Sequence, residues 1–259
     1  YAFLFSLLTL YCVSAGEEPP EISKLKKRLP NWQLEVVSSY PNGMTETVVM
    51  YEPQSESTNV RLPVKMYHYL ENGMVLNETD LFTTKDGVVA HGPSVDYFPQ
   101  GTIKSIAFYD KGSLEGPYKV YYPNGILKTY AFYKNNLKHG SVEEHHENGH
   151  VKEKRNYDKG VLSGFLERYD QNDHLISTEK YVNGHLEGEK KEWNTEGNLL
   201  SRQHYANGLL HNSKDAPAVL NYGANEMIVN EQNFRFGLAH GLHKRYASNG
   251  KESYLVAYE

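Results

Sequence analysis

Apolar and polar residues alternate in short runs along most of the chain. Leu127, Thr129, Ala131 and Tyr133 fall at every second position of one such run, and Asn-Gly pairs cut the runs apart. Alternation with period two, bounded by turn residues, predicts half-buried β-strands joined as hairpins. No segment sustains a 3.6-residue period, so little helix is expected. The pattern also repeats on a larger scale. Glycines stand at Gly92, Gly116, Gly140, Gly164 and Gly188, each 24 positions after the last. A turn slot recurs at Gly101, Gly125, Gly149, Asp173 and Gly197, and an aromatic column at Tyr109, Tyr133, Tyr157, Tyr181 and Tyr205. A second glycine slot (Gly112, Asn136, Gly160, Gly184, Gly208) marks the return turn to the next hairpin. Asn-Gly accepts the positive φ values of a tight hairpin turn, which explains its regular placement.

A repeat this regular is one supersecondary unit stacked many times. It extends beyond the regular stretch. Upstream lie Tyr40-Pro41-Asn42-Gly43 and Tyr69-Leu70-Glu71-Asn72-Gly73. Downstream, after an insertion near Ser213 to Pro217, the columns resume at Tyr222, Glu226, Phe234, Gly241, Tyr246 and Gly250. Turn slots at 43, 73, 101, 125, 149, 173, 197, 226 and 250 give nine units. Asp at 173 and Glu at 226 depart from glycine and leave those two turns the least secure. The expected fold class is all-β: an elongated, twisted single-layer antiparallel meander of about nine stacked β-hairpins. Each hairpin should advance the sheet by roughly 10 Å, or on the order of 85 Å in all.

The unit Tyr121-Tyr122-Pro123-Asn124-Gly125-Ile126-Leu127, followed by Tyr133, resembles the MORN-repeat variant, as does Tyr181-Val182-Asn183-Gly184-His185-Leu186-Glu187-Gly188. This variant occurs in bacterial proteins, including antitoxin-labelled ones of the YwqK type. The resemblance covers roughly residues 31 to 259. It implies an antiparallel meander and carries no settled activity of its own.

Composition fits a thin sheet. Only 39% of residues are apolar, yet tyrosine numbers 21. Tyrosine buries a ring and keeps its hydroxyl wet, as a single layer requires. A net charge of −5 argues against nucleic acid as a partner and against broad attraction to anionic membranes. The apolar run before Val13-Ser14-Ala15 reads as a signal peptide, 1–15, cleaved after Ala15. A secreted or periplasmic, cell-envelope location follows. Cys12, the single cysteine, lies inside that run, where Tyr11 disfavours lipidation. The remaining organisation expected is a charged linker at 16–30, irregular hairpins at 31–90, regular repeats at 91–211 and degenerate repeats at 212–259.

Candidate chemistry is sparse. His146-Glu147-Asn148-Gly149-His150 spells a zinc-protease signature. That signature works on a helix, which sets both histidines on one face; here it occupies a hairpin turn. His145, His146 and His150 are therefore weak metal candidates, and a histidine-dependent metal hydrolase is the least favoured reading. His91, His139, His211 and His240 sit just before the glycine slot, a periodic surface row. No Walker loop, nucleophile elbow or dinucleotide fingerprint is present. No catalytic residue, cofactor or small-molecule substrate is expected.

The best functional lead is an asymmetry between units. One alternate row of each second strand holds Leu and Tyr throughout. The other runs Ile106, Phe108, Tyr130 and Phe132, then becomes Lys154, Asn156, Thr178, Lys180, Arg202 and His204. Tyr118, Val120 and Tyr122 are expected to add to the early cluster. Either the N-terminal segment (Trp32, Val36, Val37, Val48, Val49) folds over this second apolar face, or Ile106, Phe108, Tyr118, Val120, Tyr130 and Phe132 form a partner-binding patch. The function expected is a non-enzymatic scaffold that binds another protein, or a membrane component, along its sheet. An antitoxin or immunity-type role is the alternative.

Overall fold

The computed structural model describes residues 19–53, 61–223 and 226–259. The expected signal peptide and Cys12 lie outside them. The fold is an all-β antiparallel meander, and the longest helical element among the described residues is the three-residue 3-10 turn Ile22–Lys24. The chain divides into two compact units: unit 1 runs to Leu127 and includes Tyr133–Asn136, and unit 2 comprises Lys128–Phe132 and Leu137–Glu259.

Unit 1 contains β1 (Gln33–Ser39), β2 (Thr45–Pro53), β3 (Arg61–Tyr69), β4 (Val75–Thr84), β5 (Gly87–Tyr97), β6 (Ile103–Asp110), β7 (Ser113–Leu114) and β8 (Gly116–Tyr121). Each long strand pairs with the next in sequence. The residues of β9 (Leu127–Lys134) are divided between the units. Unit 2 continues with β10 (Leu137–Lys138), β11 (Gly140–His145), β12 (Val151–Asp158), β13 (Val161–Leu162), β14 (Gly164–Tyr169), β15 (Leu175–Val182), β16 (His185–Leu186), β17 (Gly188–Trp193), β18 (Leu199–Ala206) and β19 (Leu209–Leu210). After the insertion come β20 (Val219–Tyr222), β21 (Ile228–Gln232), β22 (Phe234–Arg235), β23 (Leu238–Ala239), β24 (Gly241–Tyr246) and β25 (Glu252–Tyr258).

Turns form at all nine predicted slots, but the Asn has a different job from the one expected. In Tyr40–Met44 the Gly43 N–H donates to Tyr40 O at 2.8 Å, and Tyr40 N–H to Met44 O at 2.8 Å. Only Gly43 has positive φ, at 82°, and the strand register shifts beside it. This is a four-residue turn closed by a bulge, in which glycine alone carries the left-handed conformation. Asn42 instead accepts the Met44 N–H on its side-chain oxygen at 2.9 Å. Asn72, Asn124, Asn148 and Asn249 do the same.

The return turns are two-residue turns with positive φ at both positions, as in Lys111-Gly112 (45° and 87°) and Asn207-Gly208 (51° and 79°). Each docks on the previous repeat. Gly112 N–H donates to Ala90 O at 2.8 Å, Gly160 to Lys138 O at 2.8 Å and Gly208 to Leu186 O at 2.9 Å. The 24-residue period is thus the spacing that lets one turn hydrogen-bond the turn before it.

The glycine and tyrosine columns explain each other. Gly92 faces Tyr109, Gly140 faces Tyr157, Gly164 faces Tyr181 and Gly188 faces Tyr205 across the hairpins. Residues directly opposed share a face, so a glycine with no side chain leaves room for the ring. The hydroxyls of Tyr181 and Tyr205 turn back along their strands to Glu179 and Gln203, at 2.6 Å each.

Candidate binding surfaces

Cross-strand register assigns the paired strand residues of unit 1 to one of two faces. The first carries Val48, Met50, Lys65, Tyr67, Glu78, Val95, Ile106 and Lys119, which oppose one another in turn from β2 to β8. The second carries a polar row. Asn77 Nδ2 donates to Asp96 Oδ1 at 2.7 Å, Ser105 Oγ donates to Asp96 Oδ2 at 2.6 Å, and the Thr79 and Ser94 hydroxyls share a bond of 2.7 Å.

The first face is covered. Residues 19–32 run across it as a strap. Leu25 packs with Val95, Tyr97 and Ile106, flanked by Ile22 and Phe108. Trp32 packs with Val48, Met50 and Val64. Glu21 Oε1 meets Lys119 Nζ at 2.5 Å, and Lys24 Nζ lies 5.2 Å from the centre of the Phe108 ring. Part of the expected linker is therefore packed: Glu21, Ile22 and Leu25 lie against the sheet, while residues 26–30 are exposed. The 3-10 turn sets Ile22 and Leu25 on one side, which makes a charged stretch bury two aliphatic side chains.

Beneath the strap lies a buried charge cluster. The Lys65 side chain is only 2% exposed; its Nζ sits 2.8 Å from Glu78 Oε2 and 3.4 Å from Asp80 Oδ1. Tyr97 donates its hydroxyl to Glu78 Oε1 at 2.5 Å. The Lys26 main-chain N–H, from the strap, donates to Asp80 Oδ2 at 2.9 Å. Burial pushes the Asp80 carboxyl up, against the pull of the Lys26 N–H and Lys65. Glu21 moves down: burial opposes it, but the Lys119 bond and charge win.

These positions revise the expected patch. Ile106 is fully buried and belongs to the core; Phe108 is half-buried under Lys24. Tyr118 and Val120 lie on the opposite face. Val120 opposes Ser105 while Ile106 opposes Lys119, and Tyr118 stands edge-on to Tyr133 with ring centres 5.7 Å apart. The bulged turns shift strand parity, so alternation in sequence does not carry across them. Val36 and Val37 are exposed on β1 and do not cover the face.

Tyr130 and Phe132 belong to unit 2. There one face runs Tyr130, Glu143, Lys154, Glu167, Thr178, Lys191 and Arg202 through consecutive register pairs. Phe132 and Phe165, two residues from Tyr130 and Glu167, share that face and are 37% and 58% exposed. Phe165 escaped sequence reading. Its only signal is an aromatic where other repeats place Pro117, Ser141 or Glu189.

The other face of unit 2 is an ion-pair ladder. Arg155 bonds Glu144 and Glu153; Arg168 bridges Glu153 Oε2 (2.8 Å) and Glu179 Oε1 (2.6 Å); Lys190 reaches Glu179 and Glu192. Burial alone would raise Glu179, but bonds from Tyr181 and Arg168 bring it below the usual range. Glu192 is lowered chiefly by Lys190. Tyr169 and Tyr181 are pushed up to about 12, first by burial and then by Glu167 and Glu179 respectively. In the ladder each of these cations meets two carboxylates.

The histidines have structural positions. His91 Nδ1 takes the Lys111 N–H at 3.3 Å, and His211 Nδ1 takes the Phe236 N–H at 3.3 Å. Glu115 and Glu187, at the same slot, take the Asn135 and Asn207 N–H groups at 2.7 Å. The periodic residue before the glycine thus caps the next return turn. His139 sits 3.5 Å from Asp158. The zinc-protease-like stretch lies wholly in the turn between β11 and β12. His146 Nε2 bonds Tyr169 O at 3.1 Å, and His150 Nδ1 bonds Asp173 Oδ2. Among the described residues no group of three His, Cys, Asp or Glu is placed to hold a metal; this holds for the neighbourhood of His145, His146 and His150.

Comparison with known proteins adds the family. Nothing among curated proteins matches the sequence. Among solved structures, the chain is similar to the crystal structure of TcdB2-TccC3-Cdc42, with 10% identity, a TM-score of 0.23, and coverage of 78% of this chain and 12% of that one. It is similar to TcdB2-TccC3, with 9% identity, a TM-score of 0.23, and coverage of 86% and 15%. It is also similar to a protein with unknown function (BF3112) from Bacteroides fragilis NCTC 9343, with 12% identity, a TM-score of 0.13, and coverage of 59% and 92%. Likenesses this weak add nothing to the fold described. The MORN repeat variant profile matches residues 114–135, 138–159 and 186–207, three examples of the stacked unit. In those three stretches the chain is similar to the MORN repeat variant family.

Proposed function

We propose that this chain is a non-enzymatic repeat scaffold that holds another protein against the unit 2 face presenting Phe132 and Phe165. The exposure of two phenylalanines on one sheet face, among Glu143, Lys154 and Glu167, carries the reading. Exposed aromatics rimmed by mixed charge are the composition of binding hot spots. A secreted or envelope location belongs to the same proposal, as does an antitoxin or immunity-type role as one form of it. The test is quantitative capture from the producing cell's envelope and medium, with the protein compared against Phe132→Asp and Phe165→Asp. A partner held by the parent and lost by both variants supports the reading. Equal retention by all three ends it.

A membrane component is the second reading, favoured by one observation. Leu137, Val161, Leu209 and Leu238 sit at the same slot of four return hairpins, with His185 at that slot between Val161 and Leu209, and are 46–74% exposed. Apolar tips of this kind suit the interface of a bilayer. Co-sedimentation with phosphatidylcholine–phosphatidylglycerol vesicles, lost in Leu238→Asp, is the expected result; no sedimentation of the parent protein eliminates it.

A further inference from the structure

We propose that the first face of unit 1 is a peptide-binding groove, and that residues 19–32 occupy it in cis as a releasable ligand. This proposal stands on unit 1 alone and is independent of the Phe132–Phe165 surface.

The strap is attached unlike any strand. Its main-chain bonds are internal: Ile22 to Pro19 O, Lys24 to Glu21 O, Leu25 to Ile22 O and Trp32 to Leu29 O. Among the described residues no main-chain to main-chain bond ties it to the sheet. It is held through contacts that involve side chains: Lys26 Nζ donates to Leu81 O at 3.1 Å, Lys24 lies over Phe108, and four further points follow. Glu21 pairs with Lys119, and Leu25 sits on Val95 and Ile106. The Lys26 N–H enters the Asp80 carboxylate, and Trp32 fills the space over Val48 and Met50. These are the elements by which a groove recognises a peptide: a charge contact, two apolar seats and one main-chain contact.

The groove is charge-complementary to an acidic side chain. Lys119 stands on the sheet face next to Ile106 in register, and its carboxylate partner comes from the strap. Asp80 reciprocates by accepting an N–H. The fit is also incomplete. Glu21 Oε2 and Trp32 Nε1 are buried without a hydrogen-bond partner. Native cores leave few such atoms; two along one strap mark a contact that is made but not optimised. A competitor that satisfied them would displace the strap. The partner chemistry is a peptide that forms a short helical turn, with an acidic residue, aliphatic residues one and four positions later, and an aromatic further on.

The test uses the full chain. In Glu21→Lys/Leu25→Asp the strap loses its ion pair and its apolar anchor while Lys119, Asp80 and Ile106 remain. The probe is a fluorescein-labelled peptide of residues 19–32, read by anisotropy. Because the cis strap competes at high effective concentration, the opened variant should bind the probe roughly tenfold or more tighter than the parent. A probe carrying Glu21→Lys should lose that gain and recover it on a chain that also carries Lys119→Glu. An opened variant with parental circular dichroism and cooperative melting that binds no better than the parent overturns the proposal. If the opened variant does not fold, hydrogen exchange on the parent decides. Amides of Ile22 to Lys26 exchanging faster than those of β5 and β6 support release, and exchange only with global unfolding refutes it.

Discussion

Asp173 stands at a turn position that glycine fills in seven of the nine repeats, at φ 65°, and its carboxylate bonds His150 Nδ1 from the repeat before. Positive φ is unfavourable for a residue with a Cβ. Glu226 holds the same slot at φ 59° without a comparable side-chain partner among the described residues. The pair allows a controlled comparison. Glu226→Gly should stabilise the protein by about 0.5–1 kcal/mol, because only the strain is removed. Asp173→Gly should gain less, since it also loses the histidine bond. Urea unfolding of both, with His150→Ala completing a double-mutant cycle, measures the difference. Equal gains in the two variants would show that the His150 contact contributes nothing.

The capping of return turns makes a second prediction. Glu187 accepts the Asn207 N–H at 2.7 Å. Glu187→Ala should cost about 1 kcal/mol by leaving that donor to solvent. Glu187→Gln keeps an acceptor oxygen and should cost less than half as much. The same ordering should hold at Glu115. If alanine and glutamine behave alike in chemical denaturation, the cap is a crystal-like coincidence of position with no energetic weight.

How far the sequence could be read depends on whether the signal was local. The turn glycines, the Gly–Tyr columns and the return turns each rest on backbone conformation within one hairpin, so periodicity exposes them. Residue parity across a bulged turn is not local. Tyr118 and Val120 look like neighbours of Ile106 until the register places them on the other face. The strap was hidden for a different reason: Ile22 and Leu25 are only two aliphatic residues among charges, and their meaning depends on a face assembled from β2 to β8. Phe165 was legible only as a departure from its column, which alternation alone does not flag.

The ion-pair ladder fixes the direction of acid sensitivity. Glu179 and Glu192 titrate below the ordinary glutamate value of 4.5 in the folded protein. Their contribution to stability is present above that unfolded value and is lost as pH falls through the folded one. The midpoint of unfolding should therefore be flat near neutrality and drop as the solution is acidified below about pH 4.5. Each proton taken up on unfolding adds about 1.4 kcal/mol per pH unit to the slope. Glu179→Gln should remove up to one proton's worth of that slope. An unchanged slope would mean that the Arg168 bridge is not maintained in solution.

Ile106 and Phe132 belonged to one row in the sequence and now make opposite predictions. Ile106 is fully buried against Leu25 and Val95, so Ile106→Ala should cost about 2–4 kcal/mol through lost burial and a residual cavity. Its effect on partner capture by unit 2 should be nil once the protein is held below its melting temperature. Phe132 is partly exposed and touches solvent on an open face, so Phe132→Asp should change stability by no more than about 0.5 kcal/mol. It should nevertheless abolish capture, because a carboxylate cannot enter a desolvated aromatic contact without a partner charge. Melting curves and capture on the same four samples, including the double variant and the parent, separate the two effects. A Phe132→Asp protein that melts far below the parent would move that ring from the surface into the core and remove it from the binding proposal.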